Sequence, residues 1–489
     1  MTDITLALTI FLATVVFLLW RPKGINEAIP PAIGALLLYF FGIVGMADVE
    51  YVLGTVSGAS ITIISTMAMS IVLESMGFFR WVAFNLVAKC DGSGTRLYWS
   101  VILLCFFMTV LFNNDGSIVI TTPIIIEIVK LLELKPRQQF AYLLSGAIIA
   151  TASSAPIGVS NLANLIALKI VGVDLVTHTK YMFVPSMMGL SVISLLLYLH
   201  FRQDIPQSIP GLSRVCMQLY RKTIGNDYRP PHHKHPSHHG HPPLHGHPSH
   251  HGHPPLHEHP PQHQYPPQQA ETQVDSGTIN WVMFRMYMTI IVLVRVSLFI
   301  FSYYGIPIGW AASVGALIII MLRWFTQGTG IGDVLRKTPW HVFIFAFGMY
   351  LVVYGLYNVR FTTTIVDLIK EPVSANLFNS ILIIGVLTSI MASLFNNHPS
   401  LMLATTIITH MGLELQYVQV TYLAIILGSD IGSLTLPSGT LASLIWMYIL
   451  RNNGIIVTWK EYISTTIRII PIGLVVSLLS LYLWVLVLS

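Results

Sequence analysis

Apolar runs long enough to cross a lipid bilayer recur along almost the whole chain, and no other feature limits its fold so strictly. They fall near residues 4–20, 28–46, 57–79, 97–112, 117–132, 139–172 and 181–201. After a polar interval they resume near 281–304, 309–325, 340–358, 377–395, 399–413, 417–450 and 463–488. A hydrocarbon core about 30 Å thick is crossed by about 20 helical residues, so the runs predict a polytopic helical membrane protein. Composition agrees. Charged residues make up 10% of the 489 positions, where soluble domains carry roughly 25%. Too few charges are present to cover a soluble enzyme. The net charge of +5 lies between apolar runs, as membrane topology requires, and not in a nucleic-acid-binding patch. Cys90, Cys105 and Cys216 are too dispersed for a disulfide framework or a thiolate metal site. The first run lacks a preceding basic segment, so 4–20 reads as a retained span and not a cleaved signal.

Two long stretches, 97–132 and 377–413, are broken by the polar tips LFNNDGS and LFNNHPS. Two others, 139–172 and 417–450, are too long for one straight crossing and hold Pro, Gly and Ser midway. Positive charge orients the set. Arg21, Lys23, Arg80, Lys89 and Arg96 precede the first broken pair on the inside, and Lys130, Lys135 and Arg137 follow it there. That segment is therefore a re-entrant hairpin. Asp367, Glu371 and Glu414 flank the second pair, which enters from outside. The count closes at about ten spans, two re-entrant hairpins and two broken helices, with both termini outside. The expected setting is the plasma membrane and its lipid.

The halves repeat each other. Leu111–Asn114 recurs as Leu394–Asn397, and Pro156-Ile157-Gly158 with Leu162-Ala163 is echoed by Pro437-Ser438-Gly439 with Leu441-Ala442. An odd number of crossings separates them, so the repeats, 1–201 and 280–489, are inverted. Secondary transporters use this arrangement and bind solute at the midplane, where broken helices meet. The polar interval 202–279 holds fourteen of the nineteen histidines. The unit HPSHHGHPPLHG begins at His235 and returns almost unchanged at His247. So much Pro and His predicts a disordered cytoplasmic loop. His235, His238, His239, His241, His247, His250, His251 and His253 offer weak imidazole ligands for Zn²⁺, Ni²⁺ or Cu²⁺, against the alternative of a tolerated low-complexity insertion.

Backbone left unpaired at membrane depth must line an enclosed or watery cavity. At the first tip Asn114 or Asp115 suits the N-cap, and at the second Asn397 or His398, with Pro399 at the first helical position. The tips thus offer Asn113, Asn114, Ser117, Asn396, Asn397, His398 and Ser400 as solute ligands. The broken spans add Thr151, Ser153, Ser154, Ser160, Asn161 and Asn164 in one half, and Ser429, Ser433, Thr435, Ser438 and Thr440 in the other. Ionisable groups at this depth are costly and so are functional candidates. Asp115 and Asp430 are assigned proton or ion coupling. Glu74 and Arg295 read as structural or near an interface, and His178, His200, His341 and His410 as interfacial. No Walker A, GxSxG, HExxH or Rossmann pattern appears. The chain carries no signature of an enzyme and calls for no cofactor, and energy must come from an ion gradient or a separate subunit.

These motifs resemble the arsenite efflux pump family (ArsB type), within a superfamily that includes NhaD-type sodium/proton antiporters. Asn114-Asp115-Gly116 and Asn396-Asn397-His398-Pro399 are similar to its two tips. Thr151-Ala152-Ser153 with Val159-Ser160-Asn161-Leu162 resembles its first broken span, and Gly428-Ser429-Asp430-Ile431-Gly432 with Leu441–Trp446 its second. The resemblance covers the chain apart from the His-rich loop. Where the family commonly has Pro-Lys after the Asp-Ile-Gly, Ser433-Leu434 stand here. It implies export of arsenite or antimonite against proton entry, with a soluble ATPase as a further partner; a homodimer is also left open. Arsenite near neutral pH is mostly an uncharged trihydroxide, which hydroxyl-sized hydrogen-bonding groups suit. A sodium-coupled carrier, either a Na⁺/H⁺ antiporter or a carboxylate symporter, is the alternative. A metal-binding protein built on the histidine loop is a third.

Overall fold

A computed structural model describes residues 3–20, 25–75, 81–82, 85, 89–90, 92–209, 281–328, 332–338 and 340–488. Arg21, Lys23, Arg80 and the fourteen histidines of the polar interval lie outside the described residues. Every regular element described is helical. The first half runs α1 (Asp3–Trp20), α2 (Ile29–Phe40), α3 (Met46–Ser75), α4 (Gly94–Leu111), α5 (Asn114–Leu131), α6 (Pro136–Ala152), α7 (Leu162–Val171) and α8 (Leu175–Phe201). The second runs α9 (Trp281–Tyr303), α10 (Ile308–Gln327), α11 (Gly332–Lys337), α12 (His341–Asn358), α13 (Phe361–Ser374), α14 (Leu377–Phe395), α15 (Asn397–Thr409), α16 (Leu415–Asp430), α17 (Leu441–Asn452) and α18 (Trp459–Leu488). Both halves end in a hairpin, a broken helix and a closing helix; among the described residues three helices precede the hairpin in the first half and five in the second.

Among the described residues, ten helical stretches are long and apolar enough to cross a membrane. They include α4 and α14, the first legs of the hairpins, and omit the shorter α2. The number thus matches the sequence reading while the membership differs, because length and composition cannot separate a hairpin leg from a span.

One element was not anticipated. The stretch around Asp367 and Glu371 falls between the apolar runs 340–358 and 377–395, yet α13 is helical there, burying Thr362, Val366 and Val373 on one stripe. A stripe of three residues satisfies an amphipathic helix without producing an apolar run. Arg360, with φ +60, turns the chain into it.

The halves interlock. Scaffold helix α3 packs on α10, and α12 on α2 and α3. The closing helices α8 and α18 lie side by side, where a Cβ on Gly189 would sit 1.7 Å from Ser477 Oγ. Two further contacts cross the repeats symmetrically: α7 packs on α15, and α17 on α5. Each broken helix therefore lies against the returning leg of the other half's hairpin.

Candidate functional site

The tips are built by asparagines. Asn113 is the N-cap of α5, and its Oδ1 accepts from Gly116 N–H at 2.6 Å. Asn114 Oδ1 accepts from Asp115 N–H at 2.8 Å. At the second tip Asn396 caps α15, accepting from His398 N–H at 3.4 Å and donating to the Ser438 carbonyl at 3.3 Å. Each cap lies one residue or more before the position expected from sequence, and Pro399 falls at the third helical position. Both tips reverse direction within two residues, so the first asparagine of each pair must act as cap. Asn396 adopts φ +78, a conformation that side-chain-bearing residues hold at a cost of roughly 1–3 kcal/mol. Asn397 Oδ1 lies 2.8 Å from His398 Nδ1, and the buried His398 ring meets Phe345 edge-on.

The breaks follow from backbone chemistry. Pro156 has no N–H to offer the Ala152 carbonyl, and α6 stops at Ala152. A 3₁₀ turn, Gly158–Ser160, leads to α7, capped by Asn161 Oδ1 on Ala163 N–H at 3.0 Å. In the second half α16 stops at Asp430, ahead of Pro437, and two 3₁₀ turns, Gly432–Thr435 and Pro437–Gly439, precede α17. Thr440 caps α17 through Ser443 N–H at 2.9 Å.

The two halves meet at one carboxylate. Asp430, 1% exposed, accepts at Oδ2 from Ser154 Oγ at 2.8 Å and from Asn164 Nδ2 at 2.7 Å, and at Oδ1 from Asn161 Nδ2 at 2.9 Å. All three donors belong to the first broken helix and the acceptor to the second. A buried carboxylate is tolerable only when hydrogen-bonded in this way. Asp115, at the first tip, lies within electrostatic range of both Asp430 and Glu27. The second tip is tied to its own break: Ser429 Oγ donates to the Asn397 carbonyl at 3.3 Å, Ser393 Oγ to the Gly432 carbonyl at 3.1 Å and Ser438 Oγ to the Ser393 carbonyl at 3.4 Å.

Several candidates from the sequence make only local bonds. Ser117 donates to the Cys105 carbonyl, Ser153 to Ile149, Thr151 to Ala147 and Thr435 to Gly432. Ser160, Ser400 and Ser433 are buried with hydroxyls that lack a partner, as does Asn164 Oδ1. Such groups are where a polar solute or water would bond. Arg295 on α9 is buried and structural: Nε donates to the Leu111 carbonyl at 2.7 Å and Nη2 to the Phe112 carbonyl. It satisfies the end of α4 and supplies a cation at depth from a different helix than position 434.

His178 corrects the sequence reading. It is fully buried, with Nε2 3.2 Å from the Ala155 carbonyl inside the first break. It is the fourth residue of α8, and Tyr462, the fourth residue of α18, donates to the Leu434 carbonyl of the second break at 3.2 Å. Equal placement in the two closing helices was the available signal, hidden because the residue types differ. Glu27 was also missed; it is 7% exposed and pairs with His341 at 2.9 Å.

Capped hairpins facing broken helices, exchanged between two repeats inside a many-spanned helical body, mark a membrane transporter. The citrate transporter family model (CitMHS) matches residues 15–421. A provisionally named arsenical pump membrane protein of Bacillus subtilis (strain 168) is 45% identical over 97% of this chain and 98% of its own. The arsenical pump membrane protein of Escherichia coli (strain K12) is 28% identical over 94% of each. The chain belongs to the citrate transporter family, in its group of arsenical pump membrane proteins. Among solved structures, the YdaH transporter of Alcanivorax borkumensis shares the fold, with a TM-score of 0.51 at 10% identity over 97% of this chain and 98% of that one.

Proposed function

We propose that this transporter exports arsenite or antimonite, as the neutral trihydroxide, in exchange for protons at Asp430 and Asp115. The grip of Ser154, Asn161 and Asn164 on Asp430 carries the reading. Ionised, the carboxylate accepts from all three and holds the broken helices together. Protonated, it offers one hydroxyl donor and less acceptor capacity, so the grip loosens and the amides are freed for solute hydroxyls. Alternation of the carboxyl between these states links proton uptake to exposure of the site. The names of the pump relatives support the substrate class.

On this reading the repeats are 1–201 and 280–489, joined by 202–279, in the plasma membrane with both termini outside. A docking ATPase and a homodimer are compatible additions. The second reading, a sodium-coupled antiporter or carboxylate symporter, draws on the description of the matching family model as a citrate transporter.

The test is arsenite uptake by everted vesicles under a proton gradient, with an uncoupler and a sodium-gradient control. Uptake is expected to vanish with the uncoupler and in the Asp115→Asn, Asp430→Asn double variant. Uphill uptake retained in that variant ends the coupling proposal. Sodium-driven transport without arsenite uptake selects the second reading.

A further inference from the structure

A cavity of about 170 Å³ lies between α3 and the first hairpin. Ser70 of α3 and Phe112, Asn113 and Gly116 of the tip line it, and the exposed Glu74 and Lys337 stand at its rim. One water needs roughly 10–15 Å³ of such space, so the cavity has room for a small solute.

Its polar inner end is unsatisfied. Asn113 is 1% exposed; its Oδ1 is committed to Gly116 N–H, and its Nδ2 has no partner. A buried amide left in this state costs roughly 1–3 kcal/mol, and native proteins normally satisfy such groups with water or ligand. The carbonyls next to it are already taken, because Arg295 bonds Leu111 and Phe112 from α9. The positive end of α5 adds to the donor character of this end. The cavity therefore presents one free amide donor to an oxygen atom, in a lining otherwise made largely of Met67, Ile71, Val119 and Ile120, behind a rim where one carboxylate and one ammonium balance.

We infer that this cavity is the access chamber through which a small neutral oxygen-rich solute reaches the first hairpin tip, with the Asn113 amide as its first hydrogen-bond donor. The inference rests on the transport reading above and adds to it a route and a residue role. Balanced rim charges select neither sign, which suits a neutral trihydroxide. Fixing the cap through Oδ1 leaves Nδ2 held in one direction without a rotamer cost at the moment of binding.

Two measurements on the full-length chain test this. In the first, Ser70→Cys is introduced after the native cysteines are replaced by alanine. Right-side-out and everted vesicles are then treated with a membrane-impermeant cationic methanethiosulfonate. Labelling is expected from one face, and Val119→Trp, which adds bulk to the lining, is expected to slow it. No labelling from either face, or equal labelling from both, overturns the chamber. In the second, Asn113→Asp keeps the acceptor for Gly116 N–H and removes both donor hydrogens. The arsenite KM is expected to rise about five- to tenfold with the maximal rate little changed, the scale of one lost hydrogen bond. An unchanged KM removes Asn113 from the role. Labelling does not depend on transport, so one-sided labelling without arsenite uptake by the wild type sinks the transport reading and supports the chamber.

Discussion

Asn164 in the first turn of α7 donates its amide to the carboxylate of Asp430, the last residue of α16, at 2.7 Å. The two residues lie on opposite inverted repeats, so a single hydrogen bond spans the boundary between the halves. Ser154 and Asn161 reinforce it from the same side.

The first prediction concerns this pair. A hydrogen bond to a charged group is worth roughly 1.5–3 kcal/mol, which Asn164→Ala should remove from stability. Asp430→Asn should cost less than about 1.5 kcal/mol, because Asn164 carries an unpartnered Oδ1 and can turn its amide over to accept. Thermal melts in detergent are expected to place Asp430→Asn above Asn164→Ala, with Asp430→Asn folded and inactive in uphill uptake. The reverse order of melting contradicts the account.

Asn396 combines a strained backbone with two side-chain bonds. Asn396→Ala keeps the positive φ and loses both bonds, for a cost of about 1–2 kcal/mol. Asn396→Gly loses the bonds and also the strain, so it should melt between the wild type and the alanine variant. An alanine variant as stable as the glycine variant would show that φ +78 carries no strain worth counting.

Gly439 lies where the second break folds back on itself. A Cβ there would stand 1.9 Å from the Ser433 carbonyl oxygen, which is backbone and cannot swing aside. Gly439→Ala is expected to abolish membrane-extractable folded protein, read by size-exclusion of detergent extracts. A monodisperse, active alanine variant rules this packing out.

Asp174, between α7 and α8, gives a pH dependence. Burial alone would raise its carboxyl, but hydrogen bonds from Thr177 Oγ1 and from the N–H groups of Thr177 and Val176 outweigh that and hold it below the usual carboxylate value. A pKa depressed in the folded state contributes stability that is complete above the unfolded value of about 3.9 and is lost as pH falls through the folded value. Asp174→Asn retains an acceptor and does not titrate. The melting advantage of the wild type over Asp174→Asn should shrink steadily between about pH 5 and pH 3. A gap that stays constant with acidification rejects the assignment.

Much of the fold was legible in the chain. The repeated LFNN tips and the Pro156 and Pro437 interruptions located both hairpins and both breaks, since each is a local rule of backbone hydrogen bonding. Asp430 and Asp115 stood out because a carboxylate at membrane depth is costly wherever it sits. Less legible were the exact caps, displaced to Asn113 and Asn396, because neighbouring asparagines compete on equal terms for one amide. His178 and Tyr462 escaped for a different reason. Their partners are backbone carbonyls freed by breaks far away in sequence, and a carbonyl leaves no mark on residue type.

The sequence by itself determined that this chain lives in a membrane, that its halves repeat, and where the hairpins and the broken helices are interrupted. Those outcomes depend on hydrophobic length, on proline's missing N–H and on the capping chemistry of asparagine, all of which act within a few residues. Only the tertiary structure decided which candidates become partners. Ser154, Asn161 and Asn164 reach Asp430, while Ser117, Ser153 and Thr435 turn to nearby carbonyls. Hydroxyls and amides accept almost any partner within reach, and reach across the repeats is set by how the broken helices and hairpins of the two halves pack.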